Sequence, residues 1–505
     1  MGGPRQRGDR SNRSLKDLKR ELNVKERDRD RVHVGLSQTE GLSSGYEPWT
    51  PSPHTAFKLL LLVRLSAAIW SGISDCDETF NYWEPAHHML YGQGLQTWEY
   101  DPRFALRSYF YILLHVIPSY IYTSILQPNP IVVFYFLRCL LAVVCSLSEV
   151  YFYCGVLCEF GANVGRLCLC LLVSSAGMFI SSTAFLPSST SMYFTLLSMG
   201  AWFLHNYKLA IFFTAASTFI SKKCLMVCPP HRRSFPGWPF AALLGLPIAV
   251  DILMFRRQHK LFLTWSVISA VIILTPQLLC DSYYYGKPVM ASLNIVLYNV
   301  FTPHGPDLYG TEPAQFYLIN GFLNFNVVFL LALVGLPVLL GTKYLLRGEI
   351  ASTTTGFYLS ESLSQAPLLL WLVVFWTRPH KEERFLFPVY PLICLAGAAV
   401  IDAGQKVTYF LVVRSKARHY LQHTAWLGTA TLVVSSLLSL SRVVALHQGY
   451  HGAPDVWMAV SQLADQPSVV CVGKEWHRFQ SSFFLPSTNF KLAFLKSEFS
   501  GQLPK

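Results

Sequence analysis

Apolar residues along this chain collect into long runs separated by short polar loops. The first, Phe57-Lys58-Leu59-Leu60-Leu61-Leu62-Val63 and onward, extends from Thr55 to Ser74. That matches the ~20 apolar residues a helix needs to cross a bilayer. Further runs follow at 108–127, 131–157, 166–184, 191–204, 208–221, 238–255, 261–280, 318–341, 364–377, 385–402 and 424–445. Together they predict an all-α polytopic membrane protein with about ten to twelve spanning helices. Residues 1–53 then form a charged leading segment, 54–446 the membrane domain, and 447–505 a terminal segment.

Composition points the same way. Of 505 residues, 52% are hydrophobic and only 14% charged, and the mean hydropathy is +0.34. A soluble chain of this size would carry more charge. The net charge of +12 sits largely in the first fifty residues and the short loops, where it orients spans, so it is no footprint of nucleic acid. The 12 cysteines lie mostly inside apolar runs (Cys139, Cys145, Cys154, Cys158, Cys168, Cys170, Cys280, Cys394) and read as small core residues, not as a disulfide framework. The leading segment, with Lys16, Lys19, Arg20, Arg27, Arg29 and Arg31, has no apolar h-region, so no cleavable signal peptide is expected. It reads as disordered and cytosolic, where its sequon Asn12-Arg13-Ser14 would go unused.

Charge also sets sidedness. Basic residues precede the first run and acidic ones follow it, which sends the loop 75–107 to the lumen. Its aromatics, Trp83, Tyr91, Trp98 and Tyr100, suit a segment in the membrane interface. Arg256 to Lys260, Lys343 to Arg347 and Lys406 to Arg418 read as cytosolic, leaving 281–317 and 378–384 luminal. The middle does not close: counting each run between 191 and 255 as one crossing puts residue 256 in the lumen, against its charges. A re-entrant or disrupted run is expected, with Ser221 to Pro236 the suspect because its prolines and charges break a helical span. Within it Cys224, Cys228 and His231 lack a fourth ligand, so no metal site is expected. Arg138, costly inside the third run, is expected to face a polar cavity or to pair with Glu149.

The candidate chemistry centres on Asp75-Cys76-Asp77-Glu78-Thr79-Phe80-Asn81-Tyr82-Trp83-Glu84-Pro85, which packs four carboxylates into ten residues. It is either a solvated acidic loop or the seat of a general base at the water–membrane boundary. On the same side lie Asp281-Ser282-Tyr283-Tyr284-Tyr285-Gly286-Lys287 and the stretch from Thr302 to Pro313. The third element is Arg378-Pro379-His380-Lys381-Glu382-Glu383-Arg384, a basic cluster against the orientation rule. Acid facing base beside aromatic rings suits group transfer from a lipid-linked anionic donor. A carboxylate takes the acceptor hydroxyl's proton, and cations stabilise charge on a departing phosphate. No glycine loop for a nucleotide stands out. Asp75-Cys76-Asp77 is formally the Asp-x-Asp of metal-bound nucleotide sugars, but no nucleotide-binding α/β domain accompanies it. A transporter or lipid flippase is the alternative outside the enzymes. It predicts charged residues along a midplane path and repeated halves, and neither is evident.

These residues carry a resemblance. With Asp77-Glu78, Phe185-Leu186-Pro187-Ser188-Ser189, Asp281 to Lys287, Asn294 to Val300, Tyr309-Gly310-Thr311-Glu312-Pro313 and His380-Lys381-Glu382-Glu383-Arg384-Phe385, the chain resembles a known family over nearly all of 55–500. That family is the multi-spanning, lipid-donor glycosyltransferases of fold type C, mannosyltransferase family 22. The string Asp75 to Pro85 is most similar to its endoplasmic-reticulum α-1,2 branch, which adds the seventh and ninth mannoses to the dolichol-linked oligosaccharide. The resemblance implies transfer from dolichyl-phosphate-mannose to a dolichyl-pyrophosphate-linked oligosaccharide on the luminal face, in a lipid membrane. It further implies inversion at the anomeric carbon and no metal or other cofactor. In that frame Asp77 is the base, and Glu78 orients the acceptor or anchors the loop. His380, Lys381 and Arg384 take the donor phosphate, and Trp83, Glu84, Asp281, His304, Tyr309 and Glu312 contact substrate. A sibling that builds the glycolipid anchor or an α-1,6 branch stays open. Three departures stand out: Ser221 to Pro236 reads as an insertion, Ala314 replaces a usual Trp, and the chain stops at Lys505 where relatives continue. An inactive protein is therefore a further alternative.

Overall fold

A computed structural model describes residues 49–220, 241–294, 310–346, 361–413 and 419–495, the last with gaps at 461, 463–465, 474–480 and 488. The leading segment, Ser221 to Pro236 with its cysteines, His304 and Tyr309 lie outside the described residues. The architecture is a helical bundle. Its main helices are α1 (Pro53–Trp70), α2 (Glu84–Tyr91), α3 (Tyr109–Leu126), α4 (Pro130–Ser174), α5 (Pro187–Phe203), α6 (Tyr207–Ile220) and α7 (Ala241–Val250). After them come α8 (His259–Tyr285), α9 (Gln315–Leu333), α10 (Gly335–Leu345), α11 (Glu361–Trp376), α12 (Tyr390–Thr408) and α13 (Leu421–Tyr450). Among the described residues six helices are long and apolar enough to cross a membrane, and three shorter apolar helices accompany them. One small sheet departs from the all-α expectation: β1 (Ser468–Val472) pairs in parallel with β2 (Phe490–Phe494).

Local chemistry starts and stops the first helices. Ser52 caps α1, its hydroxyl accepting from Thr55 N at 3.2 Å, and Pro53 fills the first turn, where no N–H is needed. Asn129 and Pro130 open α4 in the same way. α4 is two helices joined at Gly161, whose φ of 84° a residue with a Cβ rarely adopts. This break accounts for the two apolar runs at 131–157 and 166–184.

The pairing of α1 with α4 fixes the direction of everything after it. Arg64 donates to both carboxylate oxygens of Glu149 at 3.0 and 2.7 Å and to Leu172 O at 2.6 Å. Near the end of α1, Ala67 O and Ser71 meet Arg138. Just ahead of α1, Pro51 O accepts from the Tyr153 hydroxyl at 2.8 Å. The helices are therefore antiparallel, and α4 begins on the face where α1 ends. So α3 leaves and returns on that same face and does not cross. It lies along the face, with Leu114, Ile117, Ile121 and Ile125 exposed at helical spacing, as a helix resting in a membrane interface does. This corrects the count of spans. Ser221 to Pro236, the suspected segment, lies outside the described residues, and the surplus crossing is the run at 108–127. Without it Arg256 to Lys260 falls on the face of Pro51, in keeping with its charge. Of the two expectations for Arg138, the cavity holds and the pair with Glu149 does not, since Arg64 takes that carboxylate.

Later contacts alternate between the two faces. Phe185 N reaches Glu78 on the α1-end face, Trp202 Nε1 reaches Asp251 on the other, and Asp281 returns to Ser108 on the first. Asn163 meets Asp402 and Gln405 on the far face, and His447 meets Trp70 on the near one. The loops 75–107, 281–294, 310–314 and 377–384 and the terminal segment thus gather on one face.

Candidate active site

The acidic stretch is helical. Asp75 caps the short helix Cys76–Glu78, accepting from Asp77 N at 2.8 Å, and a π turn at Thr79–Trp83 leads straight into α2. Such a turn inserts a residue and rotates the side chains beyond it, a device common near functional sites. It leaves Asp77 facing the basic loop, while Trp83 and Glu84 turn into the protein.

Asp77 sits between two guanidinium groups. Arg384 Nη1 lies 2.5 Å from one carboxylate oxygen, and Arg107 Nη2 lies 3.8 Å from the other. Asn81, one helical turn on, donates to the oxygen facing Arg107 and is itself oriented by the Thr97 hydroxyl at 2.8 Å. Arg384 also meets Asp75 at 2.7 Å and Glu382, and Arg107 is held by Glu99 at 2.6 Å. A carboxylate oriented by an amide and covered by an arginine can accept a proton once an incoming anion competes for that arginine and frees the oxygen.

Glu78 turns inward. Its Oε1 accepts from Trp83 Nε1 at 3.1 Å and from Phe185 N at 3.0 Å, so it ties the acidic helix to the loop before α5. Burial pushes its carboxyl up to about 7 from an ordinary 4.5, although nearby Arg138 and these hydrogen bonds pull it down. A raised folded value means the stabilising form is the protonated one. Its contribution is complete below about pH 4.5 and is lost as pH rises through about 7. Glu78→Gln keeps an oxygen for both donors. The melting temperature of the wild type is therefore expected to fall relative to this variant between pH 5 and pH 8, and a constant difference would contradict the assignment.

Other expected substrate contacts are sealed inside. Trp83 is fully buried among Phe134, Phe185 and Phe483, with ring centroids 4.3, 5.0 and 5.6 Å away. Glu84, also fully buried, accepts from Ser482 N at 2.6 Å, Ser482 Oγ at 2.7 Å and Leu95 N at 3.1 Å. Asp281 is buried beneath the start of α3, accepting from Ser108 Oγ at 2.9 Å and Phe110 N at 3.3 Å. These three hold the scaffold and offer no surface to a sugar.

The basic loop divides its labour. His380 Nδ1 meets Gly310 O at 2.8 Å and Nε2 meets Glu382 at 3.2 Å. Burial alone would lower His380, but these hydrogen bonds outweigh it and hold the ring above its ordinary value. Lys381 Nζ donates to Glu312 O at 2.8 Å and to Arg378 O, and burial holds it below the usual lysine range. Together with Glu312 N donating to Pro379 O at 2.9 Å, these contacts clamp 310–312 onto 378–382 and leave the Glu312 side chain exposed. Of the three cations, only Arg384 reaches Asp77.

A cavity of about 720 Å³ adjoins the site. Its wall includes Ser71 to Ser74, which lead into Asp75, together with Arg138, Glu383 and the last turns of α13. Sequence reasoning missed Asn81, Arg107 and Arg442. Asn81 was legible as the i+4 neighbour of Asp77 on a helix, whereas nothing local marks the two arginines. Among the described residues no cluster of three His, Cys, Asp or Glu is placed to hold a metal ion.

Comparisons with known proteins agree on the family. Residues 55–486 match the Alg9-like mannosyltransferase family. The human alpha-1,2-mannosyltransferase ALG9 is 51% identical over 468 residues, covering 90% of this chain and 73% of the relative. Its counterpart from Drosophila melanogaster is 46% identical over 492 residues, covering 95% and 76%. Among solved structures, ArnT from Cupriavidus metallidurans bound to undecaprenyl phosphate superposes with a TM-score of 0.52 at 12% identity, over 88% of this chain and 86% of that one, a likeness of fold.

Proposed function

The chain belongs to the Alg9-like mannosyltransferase family, and on that premise we propose that it transfers mannose from dolichyl-phosphate-mannose, in α-1,2 linkage, to a dolichyl-pyrophosphate-linked oligosaccharide. The products are the seventh and ninth mannose additions of the N-glycan precursor. The chain acts in the endoplasmic-reticulum membrane, with its site face luminal. The observation that carries this reading is Asp77, presented on one face beside Arg384 and a cavity whose lining is mainly apolar.

Transfer is a single displacement. The acceptor 2-hydroxyl oxygen bonds to the anomeric carbon of mannose while the bond from that carbon to the phosphate oxygen breaks. The hydroxyl proton passes to Asp77, and the electron pair leaves on dolichyl phosphate, so a β-linked donor gives an α-linked product. Asn81 fixes the carboxylate's orientation, and Arg384 moves from Asp77 to the phosphate as charge builds there. His380 and Lys381 hold the loop that carries Arg384.

Microsomes carrying this chain in a host lacking the related enzyme, supplied with labelled dolichyl-phosphate-mannose and a chelator, test the proposal. The expected result is growth of the lipid-linked glycan from six mannoses to seven, unaffected by the chelator. Label found only in glycolipid-anchor precursors or in α-1,6 linkage would assign the chain to a sibling activity.

A further inference from the structure

Once Arg384 turns to the phosphate, the other guanidinium beside Asp77 decides how basic that carboxylate stays. Arg107 Nη2 stands 3.8 Å from Oδ1, about an ångström beyond a charge-assisted hydrogen bond. A carboxylate bonded directly to an arginine holds its charge more tightly and takes a proton poorly. The separation therefore matters, and the remaining contacts of Arg107 maintain it. Nε donates to Glu99 Oε2 at 2.9 Å and Nη2 to Glu99 Oε1 at 2.7 Å. Nη1 donates to the Tyr82 hydroxyl at 3.2 Å, and the whole side chain is buried, so water competes little for it.

The backbone is bent to keep this pair together. Leu106 N donates to Glu99 O at 3.0 Å, and between them Ala105 sits at φ 46°, a left-handed conformation that alanine seldom adopts. Such strain persists only where the surroundings impose it. Here Ala105 is fully buried, Asn294 Nδ2 donates to its carbonyl at 3.3 Å, and the Tyr285 hydroxyl donates to Arg107 O at 2.6 Å. The same loop supplies Thr97, which orients Asn81.

We propose that Glu99 is a positioning residue for the transfer: it withholds Arg107 from Asp77 and so keeps the base able to take the acceptor's proton. The inference rests on the reading of Asp77 as that base. It gives the two arginines opposite duties. Arg384 passes between Asp77 and the phosphate, whereas Arg107 is kept where it stands.

The full chain purified in detergent, as Glu99→Gln and as Glu99→Gln with Arg107→Gln, tests this. In Glu99→Gln the guanidinium closes on Asp77, and kcat is expected to fall about tenfold or more while both KM values stay within about twofold. Removing Arg107 as well is expected to return most of the lost rate. A Glu99 that only supports the fold predicts the reverse, because the double variant loses more contacts than the single one. An unchanged kcat in Glu99→Gln, or no recovery in the double variant, would overturn the proposal.

A readout without sugar separates this inference from the proposed function. A hydrophobic carbodiimide attacks the protonated carboxyl, and mass spectrometry follows its rate at Asp77. That rate is expected to drop about tenfold in Glu99→Gln and to recover in the double variant. Equal labelling of the three proteins would overturn the role of Glu99 whatever they transfer. The expected labelling in a chain that moves no mannose would keep the restraint on Arg107 and refute the proposed function. Should Glu99→Gln melt far below the wild type, the double variant decides: labelling at least as fast as in the wild type is expected, and slower labelling would overturn the proposal.

Discussion

Asp77→Asn is expected to lower kcat for mannose transfer by about 10²–10⁴-fold, the range a positioned general base supplies. The substitution is isosteric, and an Asn oxygen can still accept from Asn81, so the acidic helix should keep its shape. What it loses is the charge that draws Arg384 and the basicity that takes the proton. Because Arg384 is released from one of its carboxylates, KM for the donor should hold steady or fall while kcat collapses. Initial rates at saturating donor and acceptor, beside thermal melting of the same preparation, separate these effects. A variant with near-normal kcat would remove Asp77 as the base. A variant that melts far below the wild type would show that Asp77 serves the fold.

Arg64→Met should be the most damaging change to stability. Arg64 and Glu149 are both fully buried and pair bidentately, and Arg64 also satisfies Leu172 O. Removing one partner strands a carboxylate among apolar helices, which costs about 3–5 kcal/mol. The double variant Arg64→Met with Glu149→Leu removes both charges and should recover most of that loss, since a buried pair is often replaceable by apolar packing. Melting of the three proteins in one detergent decides it. If the double variant is no more stable than Arg64→Met, the damage comes from lost packing or from Leu172 O and not from a stranded charge.

Much of this was legible in the sequence, and the misreadings share a cause. Hydropathy reports how long and how apolar a segment is, not which way it runs. α3 has the composition of a span, and only the antiparallel pairing of α1 and α4 reveals that it stays on one face. The same blindness left Arg138 undecided between a cavity and Glu149. Both were visible as costly charges, but the partner of Glu149 was Arg64 in the first run, a residue whose depth depends on how α1 slides against α4. Asp77 and Arg384 were legible together because charges of opposite sign in loops on one side tend to meet, and here they do at 2.5 Å. Trp83, Glu84 and Asp281 were misread for a different reason. Residue type suggests a sugar contact, yet the π turn and the start of α3 turn these side chains inward. Such a rotation is a property of the assembled backbone.

The grip of Glu84 on Ser482 has a consequence for how the protein is made. The two residues are 398 positions apart in the chain, and the bond joins the acidic helix to a segment synthesised much later. At roughly 5–20 residues per second, a ribosome delivers Ser482 on the order of tens of seconds after Glu84. For that interval a buried carboxylate has no serine to satisfy it, and the aromatic cluster around Trp83 lacks Phe483. A half-made chain thus has its early helices while the acidic helix still lacks these partners. The surroundings of the acidic helix therefore close only after the segment around Ser482 has been made.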